Sequence, residues 1–439
     1  MRATIFLGML LTTGLTSEAL LADDWPQWLG NNRQSVWQES GILREFPEDG
    51  PKVRWKVPVE MGYSGPAVAS GKVVVTDYVK KEGSITNNPG GADKLQGTER
   101  VLCFDEQTGE QLWKHEYDRD YEISYPSGPR ATPTIDGDKV YILGAESDLT
   151  CLNLADGKPV WHVNLKERYN TKTPIWGFAA HPLVDDEHVY TLAGGEGSVA
   201  IALDKKTGEE VWTALDSPEI GYCPPTMIEH GGARQLLIWH AQSLNSLNPK
   251  TGEVYWTVPL EPSFTMSISA PRKVGNLLFA SGMGDTSALL KLDDDKPAAE
   301  VLWRGQAKMS VATANSTPFF DGETIYGFDS GSGALTAVDH EDGTRLWETT
   351  DPIGGVRRAR HGTGFIVKQD DVYFIFAETG ELVIAKLSPE KYEELDRAQI
   401  LEPTGETGGR AVVWSHPAFA GKAMFARNDK ELVCVELGK

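Results

Sequence analysis

The sequence predicts an all-β protein, an eight-bladed β-propeller of four-stranded blades. Three observations carry that expectation: regularly spaced tryptophans, a recurring hairpin phrase that ends on most of them, and eight inner-strand starts of which seven are led by proline. Trp55, Trp113, Trp161, Trp212, Trp256, Trp303 and Trp347 follow one another at gaps of 58, 48, 51, 44, 47 and 44 residues. Repeats of this size mean stacked supersecondary units, each with an apolar face it cannot bury alone.

The phrase is clearest at 202–212, A-L-D-K-K-T-G-E-E-V-W, and returns at 103–113, 151–161, 246–256 and 337–347. Its third residue, Asp or Asn, can bond its own backbone to start a turn. Its seventh, Gly, supplies the positive φ that closes a short loop between strands. The tryptophan then lies on the returning strand, and a ring that large is worth ordering only if its face is covered. The seven tryptophans are therefore expected to dock blade on blade, with the small first residue (Ala202, Ala337, Ser246, Cys103) leaving room for a neighbour's indole.

Before each hairpin comes a strand–turn–strand element, such as A-T-P-T-I-D-G-D-K-V-Y-I from Ala131. Proline at the head of a strand forfeits no ladder bond, so it marks where an inner strand begins. The starts are Pro66, Pro133, Pro182, Pro225, Pro271, Pro318, Phe365 and Pro417, which sets the blade number. The last repeat ends at Val435-Glu436-Leu437 with no outer strand, whereas Val53-Arg54-Trp55-Lys56-Val57 has no repeat of its own. The N-terminal strand 53–57 is thus predicted to close the eighth blade, leaving the ring without an open edge. Blade five diverges at Asp293-Asp294-Asp295-Lys296-Pro297. Blade seven diverges at S-P-E-K-Y-E-E-L-D-R-A-Q from Ser388, read as a short helix replacing hairpin and tryptophan.

Residues 1–22 read as a secretory signal: Arg2, an apolar run from Ile5 to Leu15, then small residues around Ala19 and Ala22. The run is too short to span a bilayer, so no transmembrane segment is expected. Residues 23–439 then form a single propeller domain, soluble, monomeric, and periplasmic or extracellular. Lys and Arg total 42 against 63 Asp and Glu, a net charge of −21. That balance disfavours nucleic acid and anionic membranes as partners. Four cysteines in an exported chain invite pairing, but Cys103, Cys151 and Cys434 fall on the small-residue position of the phrase and read as buried free thiols. Cys223 stands apart on a loop without an evident partner.

The tryptophan phrase, the proline-led strands and the count of eight resemble the pyrroloquinoline-quinone-type (PQQ-like) repeats of the quinoprotein alcohol dehydrogenase-like propellers. The resemblance covers nearly the whole of 23–439. It implies two branches, quinoprotein dehydrogenases that hold PQQ with calcium over the funnel, and non-catalytic propellers such as the outer-membrane assembly lipoprotein BamB. The dehydrogenases clamp the quinone with a disulfide of adjacent cysteines and ligate calcium with Glu, Asn and Asp. No Cys-Cys and no C-x-x-C-H haem motif occurs here. The sequence therefore favours a secreted binding or scaffold module with no cofactor, no metal and no catalytic residue, acting on a protein, peptide or glycan partner in the cell envelope. The alternative is a PQQ- and calcium-dependent oxidoreductase.

In such a propeller the loops before each inner strand gather on one face. They would line a funnel with Tyr63, Arg130, Trp176, His181, Tyr222, Asn315, His361, Trp414 and His416. The blade-one loop 78–99 and the segment 115–129 would overhang the axis. Arg357-Arg358-Ala359-Arg360-His361 is a basic cluster in an acidic chain. With Arg130 and Arg410, Arg357 and Arg360 would bind a carboxylate, sulfate or phosphate; the competing reading pairs these arginines with acids such as Asp370 and Asp371. His181, His361 and His416 are expected to satisfy interblade carbonyls rather than share a metal, since blade three lies across the ring from blades seven and eight.

Overall fold

The computed structural model describes residues 23–355 and 359–439, so the leader reading for 1–22, and Arg357, lie outside the described residues. Eight antiparallel sheets follow one another in a ring. Their inner strands are Ala67–Ala69, Thr134–Asp136, Leu183–Val184, Thr226–His230, Arg272–Val274, Phe319–Asp321, Gly364–Gln369 and Ala418–Ala420. Seven therefore start directly after the predicted proline, because a residue outside the ladder needs no N–H to donate. Among the described residues no helix is long and apolar enough to cross a membrane.

The ring closes as the sequence requires. Val53–Pro58 pairs antiparallel with Glu431–Glu436, placing Trp55 opposite Cys434 and completing blade eight. The small residue of the phrase faces its own blade's tryptophan throughout: Cys103 opposite Trp113, Cys151 opposite Trp161, Ala202 opposite Trp212. The neighbour's indole rests elsewhere, on the phrase's glycine. A Cβ on Gly157 would come within 2.4 Å of the Trp113 ring, and one on Gly208 within 2.8 Å of Trp161. That glycine is thus required twice, for its positive φ and for the missing side chain.

Each indole also donates to the adjacent blade. Nε1 of Trp55 reaches the Glu106 carbonyl at 2.9 Å, Trp113 that of Leu154, Trp161 that of Lys205, Trp212 that of Pro249, Trp303 that of His340 and Trp347 that of Ser388. Trp256 differs, donating at 3.0 Å to the side chain of Gln235 in its own blade, because the divergent Asp293 turn is what it would otherwise meet. A β-bulge ahead of each tryptophan turns the preceding residue outward, which leaves Leu112, Val160, Val211, Leu302 and Leu346 exposed.

Blade seven corrects the expected helix. Tyr392–Gln399 is a strand, paired along its length with Glu381–Leu387, and Ser388 to Lys391 form the hairpin turn. An outer strand faces water on one side, so its charges are tolerated, and here they interlock: Arg397 bonds Glu394 at 2.6 Å and Glu381 at 3.2 Å. All four cysteines are buried and unpaired.

Residues 23–44 carry no repeat and occupy the central channel. Trp25 bridges Val68 of blade one, Pro26 accepts from Ile135 of blade two, and Ser35 and Trp37 bond Lys368 of blade seven. Only on the axis can one short segment reach so many inner strands. Arg33, buried there, donates to the carbonyls of Pro182 (2.5 Å) and Pro225 (2.8 Å), while Arg272 donates back to those of Arg33 and Gln34 at 2.7 Å each. Both guanidiniums are held by carbonyl oxygens alone. Burial accordingly pushes Arg33 down to about 9, partly offset by the Cys223 thiol, and Arg272 down to about 10.

Candidate functional site: an axial funnel

The residues ahead of the inner strands converge as expected. Tyr63, Arg130, Trp176, His181, Tyr222, Asn315, Arg360, His361, Trp414 and His416 line one cavity of about 760 Å³. That volume falls in the range of small-ligand sites, roughly 300–1,000 Å³. The overhanging loops contribute too, through Pro89, Gly90 and Tyr125. Lys72–Glu82 and Asp93–Asp105 form a long hairpin that reaches this face, and Tyr121–Ile123 adds a strand to it.

The floor was not foreseen. Trp28, from the axial segment, stacks on His181 with ring centroids 4.5 Å apart and meets His416 edge-on at 5.6 Å. His181 and His416 themselves approach to 6.2 Å, so blades three and eight do meet at the axis, contrary to the expectation that the ring would hold them apart. His181 does not donate to an interblade carbonyl. Its Nδ1 accepts from the Thr132 amide at 2.7 Å, which fixes the ring as a neutral acceptor. Burial, then the neighbouring His416 and Arg33, hold its pKa well below the ordinary imidazole value; burial alone pushes His416 down to about 3. Three floor and wall nitrogens have no hydrogen-bond partner among the described residues: Trp28 Nε1, His416 Nε2 and Asn315 Nδ2.

The arginines divide. Arg130 is spent on structure: its guanidinium caps the carbonyls of Gly128, Ser124 and Tyr125 and lies 5.4 Å over the Tyr63 ring. Burial lowers its pKa. Arg410 pairs with the buried carboxylate of Glu378 at 2.7 Å, which also accepts from Trp414 Nε1 and the Thr363 amide and so positions the wall between blades seven and eight. Glu378 gave no signal in sequence, being one glutamate among many. Asp370 and Asp371 instead hold Arg44. Arg360 is exposed at the rim, and its side chain meets no carboxylate among the described residues. His361 beside it has φ +60, and burial with the two nearby arginines lowers its pKa.

The lining is lopsided. From blade two round to blade five it is mainly apolar, with Ile175, Trp176, Tyr222, Phe264, Met266, Ile268 and Met283 interrupted by Glu219; from blade six round to blade two it carries Asn315, Arg360, His361, Thr407, Trp414, His416 and Arg130. Phe264 is 71% exposed and, with Thr265, holds a positive φ that a non-glycine residue adopts only under constraint. A quinone with calcium does not fit this wall. The lining offers one carboxylate, Glu219, whereas calcium takes six to eight oxygen ligands. Arg130, the second cation such a cofactor would need, already spends three of its N–H groups on the carbonyls of Gly128, Ser124 and Tyr125.

Comparison with known proteins places the fold. The crystal structure of BamB from Moraxella catarrhalis superposes with a TM-score of 0.58 at 15% identity, covering 88% of this chain and 97% of that one. Quinohemoprotein alcohol dehydrogenase from Comamonas testosteroni superposes with a TM-score of 0.57 at 16% identity, covering 95% and 81%. In sequence, the outer membrane protein assembly factor BamB of Shewanella oneidensis is 22% identical over 314 residues, a match spanning 68% of this chain and about 60% of that relative's length. A family profile described as outer membrane protein assembly factor BamB matches residues 97–237 and 240–439, and the chain belongs to that family of PQQ-like repeat propellers.

Proposed function

We propose that this protein is an exported, monomeric binding propeller of the cell envelope that uses its funnel and overhanging loops to hold a partner protein, without cofactor, metal or catalysis. The observation that carries this reading is the funnel wall, a mainly apolar arc headed by the exposed Phe264 and faced by Arg360, exposed at the rim with no carboxylate partner among the described residues. Exposed aromatic surface beside a charged rim is the anatomy of a docking site. The family description supports outer-membrane assembly as the setting. The net charge of −21 disfavours non-specific nucleic-acid binding.

The test pairs two measurements on residues 23–439. Affinity purification after mild cross-linking in the host envelope is expected to recover assembly proteins stoichiometrically. Adding pyrroloquinoline quinone and calcium is expected to leave Tm unchanged, because a ligand that does not bind the folded state cannot stabilise it. A rise of several degrees, or a quinone absorption band in the purified protein, would overturn the reading in favour of an oxidoreductase.

A further inference from the structure

The mouth of the funnel carries a hairpin that belongs to no blade. Between the last strand of blade seven and the first of blade eight, Gly405–Thr407 and Arg410–Val412 pair only with each other, around a Gly408-Gly409 turn in which both residues hold positive φ. An isolated two-stranded hairpin is marginal in water, so its place is set by what it touches. Its side chains alternate: Glu406 and Ala411 are exposed, Thr407 and Val412 are buried, and Thr407 lines the funnel. Towards blade one it meets the overhanging segments through two neutral bonds at the long end of the ordinary range. Asn87 Nδ2 donates to the Glu406 carbonyl at 3.3 Å, and the Tyr125 hydroxyl lies 3.2 Å from Thr407 Oγ1. The other end of the Asn87 amide, Oδ1, has no partner among the described residues.

One strong contact holds the hairpin down. Arg410 lays its guanidinium on the buried carboxylate of Glu378, at 2.7 and 3.3 Å, and donates to the Arg360 carbonyl at 2.8 Å. A charge-assisted bond of this kind is roughly twice as strong as a neutral one. Glu378 is not stranded when Arg410 leaves, because Trp414 Nε1 and the Thr363 amide still donate to it at 3.2 and 3.1 Å. We infer that the hairpin Gly405–Val412 is a gate, held shut over the funnel by the Arg410–Glu378 latch. It swings outward from its base, where Thr404 bonds Asp429 and the Val413 amide bonds the Glu378 carbonyl. Opening lifts Thr407 from the funnel wall and widens the mouth for an incoming partner. The motion rests on the hairpin's own contacts, and its meaning as a gate rests on the reading of the funnel as the binding site.

Opening is read by the rate at which a maleimide modifies Thr407→Cys in residues 23–439, since the four native thiols are buried. Modification is expected to run about tenfold faster when Arg410→Gln is added, because labelling tracks the open population. Arg410→Lys keeps the charge and should restore part of the protection. Cys434, inside blade eight, should stay unmodified in all three, which separates a swinging hairpin from an unfolding blade. Equal rates with and without Arg410, or Cys434 labelled alongside Thr407→Cys, would overturn the inference. A second variant, Asn87→Cys with Glu406→Cys, is joined by a short bis-maleimide to fasten the gate. Joining is expected to cut the recovery of cross-linked envelope partners several-fold relative to the same variant unjoined. Undiminished recovery would show that the hairpin is not the entrance, and the gate falls. If the unjoined protein recovers no partner either, the binding reading falls, while the maleimide rates still decide the motion.

Discussion

Trp28 stacks on His181 with an interplanar angle of 16°, joining a segment that precedes the first repeat to the loop that opens blade three. The contact does two things at once. It floors the funnel, and it anchors the axial segment against the ring whose centre it fills.

Removing that indole should therefore be felt globally. Trp28 is 2% exposed, and truncation of a buried aromatic costs roughly 3–5 kcal/mol. Trp28→Ala is expected to lower the urea midpoint accordingly. An unchanged midpoint would mean that the axial segment is a passenger.

Two buried histidines, His416 at the funnel floor and His240 just after the blade-four strand Ala233–Trp239, give the protein a particular response to acid. The folded state keeps His416 neutral down to about 3 and His240 down to about 4, while the unfolded chain protonates both below about 6.5. The unfolded state thus binds more protons across this interval, and stability rises with pH. What these rings contribute is fully present above about 6.5 and is lost as pH falls towards their folded values. Comparing His416→Gln with the parent protein isolates one ring: the parent's unfolding free energy should fall more steeply, by up to about 1.4 kcal/mol per pH unit. Parallel curves would show that His416 is not held neutral.

Two glycines with similar backbones separate conformation from docking. Gly137 has φ +58 with nothing near its missing side chain, and Gly157 has φ +69 with Trp113 2.4 Å from where a Cβ would sit. Gly137→Ala should cost about 1 kcal/mol, the left-handed penalty alone. Gly157→Ala should cost roughly 2–4 kcal/mol, since the indole must also move. Thermal unfolding of the two variants reads the difference directly, and equal losses would remove the glycine from the docking device.

The thiols should be silent in the native protein. Burial pushes Cys103 and Cys434 up to about 12 and Cys151 up to about 11, and it raises Cys223 as well. A thiol reagent at mildly alkaline pH is expected to label none of the four until denaturant is added, and then all four. Rapid native labelling at any of them would show that its blade opens.

What was legible in the sequence is what repeats. Blade number, the closing strand at Val53–Pro58, the burial of Cys103, Cys151 and Cys434 as free thiols, and the ring of residues ahead of each inner strand all follow from copying one unit around an axis, whereas the small position proved to face its own blade's tryptophan and not a neighbour's. What was not legible lies where a single copy departs from the unit. Trp28 and Arg33 belong to no repeat, so nothing in the period announces that they fill the channel. The distance between His181 and His416 was misjudged because the loops of opposite blades lean inward onto that filler. Tyr392–Gln399 was misread because a strand at the rim of a blade obeys few constraints of apolar alternation; its ladder and the Arg397 pairs hold it instead. Arg130 and Arg360 look alike as letters, and only their surroundings separate a cation committed to loop carbonyls from one exposed at the rim.

The pairing of Val53–Pro58 with Glu431–Glu436 also orders events in time. A ribosome or export channel releases the chain from its N-terminus, so the strand that finishes blade eight emerges first and its partner last. Until then blade eight lacks its outer strand and the ring cannot seal. Closing so long a loop costs only a logarithmic increment of entropy, but it delays the final contact. Completion of the ring therefore requires that the chain through Glu436 has arrived: a molecule cut short anywhere before residue 431 would keep two unsatisfied edges, and would be distinguishable to a protease from one that reaches it.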